Sequence, residues 1–413
     1  MTAWFGYSAG ELHADGVPLA TIAAEFGTPC YVYSRRELES RFRAFRDAFL
    51  DRALVCYAVK ANSNLAVLQT LARAGAGFDI VSAGELRRVV AAGGDPGKTV
   101  FAGACKLAHE LEEALRAGIR CFNVESEAEL EALAAIAADL RMTAPVALRV
   151  NPDVAAGAHP HIATGLKEHK FGIPVGRARA LYDRIGDHPW LAAHGVACHV
   201  GSQIMDIAPL AEAAARVAEL ASELLAAGHP LVSLDLGGGL GIDTPEQSAP
   251  PPAELARALE AATAGLGLEL VIEPGRAIAG PAGLLLTRVA YTKQGDGREF
   301  ALVDAAMNDL LRPALYGAWH EILAVAPRGE ARRMDVVGPV CESADFLGKD
   351  RLLSVTADSL LAVADAGAYG FTMSSNYNSR TRCAEVMIDE GQPRLVRARE
   401  TFDDLTRGER LLP

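Results

Sequence analysis

The sequence predicts an α/β chain in two parts, a (β/α)8 barrel of the TIM type and a second, C-terminal β domain that includes the N-terminal segment. Three observations carry this prediction. Between about residues 53 and 275, short apolar runs alternate with longer Ala/Leu/Glu/Arg stretches of helical period. The runs number eight, the strand count of such a barrel, and fall within the roughly 250 residues it takes. After Pro281 the pattern changes to short strands separated by Gly, Pro and Asp turns.

The eight runs are 53–59, 77–82, 99–103, 121–125, 146–151, 195–201, 232–237 and 268–273. Most lack a polar residue at every second position, as strands covered on both faces do. The stretches between them read as amphipathic helices, for example 127–140 and 209–227, the latter opening after Asp206 and closing at Gly228. Three prolines at 250–252 stand directly before a helical stretch, so they end a βα loop. Segment 152–172 is long and polar, carries His159, His161 and His169, and reads as a lid. The later strands are expected at 284–292, 299–303, 333–337, 360–363, 384–388 and 395–399. The expected boundaries are 31–280 for the barrel, with 1–30 and 281–413 forming the β domain.

Composition narrows the function. The chain has 413 residues, half of them hydrophobic and 22% charged, so a large core forms without disulfides or metals. A net charge of −12 repels phosphate backbones and anionic lipid, which disfavours nucleic-acid and membrane-surface partners and favours a small-molecule ligand. Seven cysteines with no C-x-x-C pair fit neither a disulfide framework nor a zinc ribbon. Residues 1–10 show no export signal and no apolar stretch approaches the ~18 residues of a spanning helix, so a cytoplasmic protein is expected.

In a barrel the reactive groups lie where strands end, because the βα loops converge there on one mouth. The strand ends supply Lys60, Asp79, Ser82, Glu125, Arg149, Asn151, His199, Ser202, Gly237 to Gly239, Glu273 and Arg276. Lys60 closes an apolar run; desolvation there would favour the neutral, nucleophilic amine suited to a Schiff base, although a lysine after a strand is more often simply solvated. The run Asp235-Leu236-Gly237-Gly238-Gly239-Leu240-Gly241 supplies backbone N–H groups with no Cβ in the way, which suits either a phosphate or a tight structural turn. In Glu273-Pro274-Gly275-Arg276 the acid can keep a pyridine nitrogen protonated, or merely pair with the arginine. His199 can stack on a flat ring or sit as a satisfied core group. Ser202 can donate to a phosphate.

The β domain carries a second cluster. Arg312 and Tyr316, four residues apart, pair a guanidinium with a phenol, a fork suited to a carboxylate. Cys341-Glu342 lies in a turn between Gly338 and Asp345.

With these motifs placed, the chain resembles the diaminopimelate decarboxylase family, pyridoxal 5'-phosphate enzymes with an alanine-racemase-like barrel. The resemblance covers nearly the whole chain. It rests on Tyr57-Ala58-Val59-Lys60-Ala61-Asn62, Phe78-Asp79-Ile80-Val81-Ser82, Thr164-Gly165-Leu166-Lys167 through Lys170-Phe171-Gly172, and His199-Val200-Gly201-Ser202-Gln203. Further support comes from Gly237 to Gly241, Glu273 to Arg276, Met307-Asn308-Asp309 through Tyr316, Cys341-Glu342-Ser343 and Asp365-Ala366-Gly367-Ala368-Tyr369-Gly370.

The resemblance implies decarboxylation of meso-2,6-diaminopimelate to L-lysine and carbon dioxide, the last step of lysine biosynthesis. It implies that Lys60 binds the cofactor aldehyde, His199 stacks on its ring and Glu273 meets its pyridine nitrogen. Asp79, Ser202, Gly238, Gly239, Pro274, Gly275, Arg276 and Tyr369 complete the cofactor site. The far carboxylate of the substrate would be met by Arg276, Arg312 and Tyr316, with Tyr369 also binding the substrate. Cys341 and Glu342 would come from the second chain of a homodimer with shared sites, the thiol near the reacting carbon and the acid on the distal ammonium. The proton donor is then Cys341 or Lys60. One departure is Ala344, where the family usually has glycine.

Three other readings compete: decarboxylation of a different amino acid, a non-catalytic cofactor carrier, and alanine racemization. Carriers of that kind lack a second β domain. A racemase needs a second catalytic base where Cys341-Glu342 stands.

Overall fold

The computed structural model describes residues 4–50, 52–155 and 170–413. Residues 156–169 lie outside these, and with them His159, His161, His169, the Thr164 to Lys167 motif and most of the expected lid. The chain forms two compact units, Glu39–Ile278 and Met1–Leu38 with Ala279–Pro413.

In the first unit the eight parallel strands are Ala53–Ala58, Gly77–Ile80, Thr99–Phe101, Cys121–Val124, Ala144–Asn151, Leu191–Ala197, Ser233–Asp235 and Glu269–Ile272. Each pairs with the next in sequence, and the last returns to the first, with Leu270 opposite Ala53, so the eight close into a barrel, to which the two-residue strand Ile173–Pro174 adds alongside the fifth. Small or slim side chains fill the interior, namely Cys56, Val100, Cys121, Ala147, Ala197 and Val271. Burial pushes the Cys56 and Cys121 thiols well up, so these are inert packing groups.

Helices return the chain to the next strand, and their caps lie close behind the strand ends. Asn64 accepts the Ala66 N–H at 2.9 Å, Ser82 the Glu85 N–H at 3.2 Å, and Ser126 the Glu129 N–H at 3.1 Å. Ser82, expected at the mouth, therefore serves as a cap. The two helices singled out above are Glu127–Leu140 and Ala208–Ala226, and Asp206 Oδ1 accepts the Ala208 N–H at 3.0 Å. The proline run leads into the helix Pro252–Ala262.

The second unit contains a nine-stranded sheet and a three-stranded sheet of Phe5–Ser8, Glu11–Ala14 and Val17–Pro18. Strand Cys30–Ser34, buried throughout, runs antiparallel to Gly283–Gln294 and parallel to Ala384–Asp389. A barrel boundary at residue 31 would assign most of this strand to the other unit. Strands Ile322–Ala324 and Phe346–Leu353 have no counterpart in the sequence reading. The core gathers Trp4, Leu12, Leu19, Val32, Leu284, Val386 and Ile388, and Trp4 Nε1 donates to the Pro281 carbonyl at 2.7 Å. No helix among the described residues is long and apolar enough to cross a membrane.

Candidate active site

The first barrel strand ends at Ala58 and continues into a single 3-10 turn, Val59–Ala61, which carries Lys60. Tyr57 closes that turn by donating its hydroxyl to the Asn62 carbonyl at 3.2 Å. The surroundings of Lys60 are not the apolar rim expected from the sequence. Its Nζ donates to Asp79 Oδ2, and its side chain is 35% exposed whereas that of Asp79 is fully buried. The other oxygen of Asp79 has no hydrogen-bond partner among the described residues. A buried acceptor left open costs stability unless something fills it, and such sites mark function.

Behind this pair lies a carboxylate dyad. Glu273 and Asp235, both buried, stand at the ends of the eighth and seventh strands, close enough for each carboxyl to influence the other's proton. Asn123 Nδ2 donates to Asp235 Oδ2 at 2.8 Å and approaches Glu273 Oε1 at 3.5 Å, and the Gly237 N–H donates to Asp235 Oδ1 at 2.9 Å. Burial, reinforced by the charges of Asp235 and Asp79, pushes the Glu273 carboxyl well up. Burial raises Asp235 to about 6 against the opposing bonds from Asn123 and Gly237.

These shifts set a pH dependence. The folded chain binds protons more tightly than the unfolded chain here, so the stability these carboxyls contribute is full below about pH 4 and falls as pH rises through about 6 for Asp235. Asp235→Asn removes that loss. The melting temperature of the variant minus that of the parent is expected to grow between pH 4 and 7; a difference flat with pH would show that Asp235 is ionised throughout.

His199 follows the sixth strand. Burial, then the positive charges of Arg149 and Lys60, push its imidazole well below the usual range, so it is neutral at physiological pH. Its Nδ1 accepts the Gly238 N–H at 3.2 Å, which leaves the proton on Nε2. The glycine turn is bare by necessity. A Cβ at Gly238 would lie 2.1 Å from the Glu273 carbonyl, one at Gly239 would lie 2.6 Å from the Gly201 carbonyl, and Gly239 has φ +113°. Arg276 Nη2 donates to Ser202 Oγ at 3.1 Å, so guanidinium and hydroxyl sit side by side. Arg149 binds Glu125 at 2.7 Å, and Glu125 also accepts the N–H groups of Gly103 and Gly172. That pair is a buried brace between loops.

In the other unit, Arg312 and Tyr316 lie on the short helix Arg312–Tyr316. The guanidinium is 5.7 Å from the Tyr316 ring centre and 6.0 Å from that of Tyr369. Tyr369 is held at φ 56°, a left-handed conformation that bulky residues rarely take and that clusters at functional sites. Cys341 and Glu342 are exposed and form a second group with two residues absent from the sequence reading. Tyr377 donates its hydroxyl to Glu342, and Asn378 Oδ1 accepts the Cys341 N–H at 3.1 Å.

The barrel residues fit pyridoxal phosphate. An amine for the aldehyde, an open buried acceptor on Asp79, an acid for the ring nitrogen, and a hydroxyl, a guanidinium and a bare glycine turn for the phosphate form one donor set. A family model for the pyridoxal-dependent decarboxylase, pyridoxal binding domain, matches residues 35–280. Fold and site thus define a pyridoxal-phosphate-dependent decarboxylase built on a (β/α)8 barrel.

Whole-chain relatives refine this. The chain is 54% identical to a diaminopimelate decarboxylase of Pseudomonas aeruginosa and 52% identical to one of Vibrio cholerae, with 99% of each chain covered in both cases. Among solved structures it matches the diaminopimelate decarboxylase of M. jannaschii in co-complex with L-lysine, with TM-score 0.95, 36% identity and 100% and 98% of the two chains covered. The Helicobacter pylori diaminopimelate decarboxylase complexed with L-lysine matches with TM-score 0.92 and 39% identity, covering 94% of this chain and 98% of the other. The chain belongs to the diaminopimelate decarboxylase family. Its reaction is the pyridoxal-phosphate-dependent decarboxylation of meso-2,6-diaminopimelate to L-lysine and carbon dioxide, the last step of lysine biosynthesis.

Proposed function

We propose that the reaction is divided among named side chains, with the pairing of Lys60 and Asp79 as the observation that carries the assignment. When bound, pyridoxal phosphate supplies an electrophilic aldehyde and a ring that takes up the electron pair of the breaking carbon–carboxylate bond. Lys60 presents the amine, and Asp79 is the base in contact with it, placed to take its proton. Glu273 keeps a proton facing the ring nitrogen, and the dyad with Asp235 retains that proton in the buried site. His199, being neutral, lies against the ring without adding charge. Ser202, the Gly239 N–H and Arg276 hold the phosphate end, with Gly238 giving it room by having no side chain, Pro274 and Gly275 shaping the loop and Tyr369 completing it.

Arg276, Arg312, Tyr316 and Tyr369 bind the far carboxylate, while Glu342 binds the distal ammonium on the same stereocentre. Those opposite poles reject substrates such as ornithine, which lack a second carboxylate. Cys341 or Lys60 returns a proton to the reacting carbon. The active unit is a cytoplasmic homodimer in which Cys341 and Glu342 serve the neighbouring chain's site.

Two experiments test this. Released carbon dioxide and the amine formed are measured with meso-diaminopimelate, its LL isomer, lysine, ornithine and arginine; the meso acid is expected to dominate, and preferred release from ornithine would overturn the substrate assignment. Mixing Lys60→Ala with Glu342→Ala, each inactive alone, is expected to restore about a quarter of the parental activity through heterodimers with one intact site. No recovery with confirmed subunit exchange would place both residues in one chain's site.

A further inference from the structure

We propose that Tyr377 and Asn378 are positioning residues for substrate specificity, Tyr377 aiming the Glu342 carboxylate at the distal ammonium and Asn378 fixing the Cys341 backbone beside it. This rests on the reading that Glu342 meets that ammonium. Both contacts come from one short 3-10 turn, Tyr377–Ser379. The phenol donates to Glu342 Oε1, and the Asn378 side chain accepts the Cys341 N–H at 3.1 Å.

The turn is itself held in an uncommon shape. Asn378 and Ser379 have φ of 55° and 54°, successive left-handed residues neither of which is glycine. Such conformations are unfavourable for residues with a Cβ and persist where surrounding bonds impose them. Neighbouring Asn376 supplies those bonds, its Nδ2 donating to the Arg380 carbonyl at 3.0 Å and to Glu400 Oε2 at 2.7 Å. On the other side, Asp345 Oδ2 accepts the Val340 N–H at 2.8 Å and its Oδ1 the Met307 N–H at 2.7 Å, so the base of the Cys341–Glu342 turn is equally fixed.

Stability does not explain the tyrosine–glutamate contact. Both residues are exposed, and an exposed polar pair contributes little to folding because water competes for each partner. The contact instead removes rotamer freedom from an otherwise mobile glutamate before substrate arrives, which is the use of preorganisation in a binding site. The phenol is also suited chemically. It donates one hydrogen to one oxygen, leaves the negative charge of Glu342 intact, and leaves the second oxygen for an ammonium. The neighbouring carboxylate holds the phenol above its usual pKa, so it stays a donor at physiological pH.

The test compares holoenzymes of the parent, Tyr377→Phe, Glu342→Gln and the double variant, with melting temperature and cofactor affinity measured alongside. For Tyr377→Phe the expected result is a KM for meso-diaminopimelate raised about tenfold, equivalent to one lost hydrogen bond to a charged group, with kcat, cofactor affinity and melting temperature unchanged. The inhibition constant of 2-aminopimelate, which lacks the distal ammonium, should not move. The double variant should lose no more than Glu342→Gln alone, since the phenol acts through that carboxylate. Asn378→Gly, which keeps the left-handed backbone but removes the amide, is expected to lower kcat with little change in KM. Glu342→Gln with an unchanged KM would defeat the underlying reading. A raised KM in Glu342→Gln but not in Tyr377→Phe would overturn this inference alone, as would a Tyr377→Phe protein whose melting temperature, kcat and KM all deteriorate together.

Discussion

Lys60→Ala is expected to lower kcat/KM by about three orders of magnitude or more, because the variant loses both the amine proposed to hold the cofactor aldehyde and the group in contact with Asp79. Alanine has a second consequence. It leaves the buried Asp79 carboxylate with neither oxygen paired to a cation, so some stability is lost too. Lys60→Arg separates the two effects. The guanidinium keeps a positive charge opposite Asp79 but is never deprotonated and cannot condense with an aldehyde. The arginine variant is therefore expected to melt near the parent and to be as inactive as the alanine variant. Activity within tenfold of the parent in either variant would remove Lys60 from the chemistry.

Glu273→Gln is the second large effect expected. The substitution keeps size and hydrogen-bonding shape but cannot release a proton, so a ring nitrogen facing it would no longer be kept protonated. Loss of that electron sink is expected to cost about two to three orders of magnitude in kcat, within the range of acid–base contributions, while cofactor affinity changes little because the phosphate contacts remain. The dyad adds a check. Glu273→Gln removes a carboxyl that burial pushes well up, so the fall in stability as pH rises above about 4 should become shallower, with the share due to Asp235 remaining. A variant with full kcat would show that Glu273 does not govern the ring.

The barrel was legible because its strands are buried on both faces and so read as unbroken apolar runs; all eight appear within a few residues of their expected positions. The boundary at residue 31 was not legible in the same way, because no run was read before residue 53. Strand Cys30–Ser34 is also buried throughout, and nothing local distinguishes the centre of a mixed sheet from a barrel wall. Strand Phe346–Leu353 stayed hidden because Gly348, Lys349, Asp350 and Arg351 interrupt its alternation and its pairing carries register shifts.

The candidate site residues of the barrel could be proposed from strand ends, where the fold leaves chemistry exposed. Their supports were not. Asn123 lies 150 residues before Glu273, and Tyr377 lies 35 residues after Glu342, so only chain closure brings each pair together. Asp235 was visible as the residue opening the glycine turn, yet its partnership with Glu273 depends on adjacent strand ends across a parallel pairing. The polar run from Ser374 to Asn378 follows no period, and its role emerges only with the turn it braces.

In the proposed reaction one amine, that of Lys60, carries the cofactor. Borohydride reduction of the holoenzyme followed by peptide mass mapping tests it directly. The reduced pyridoxyl mass is expected on the peptide containing Lys60 and on no other lysine peptide. Quantitative labelling elsewhere, with the Lys60 peptide unmodified, would contradict it.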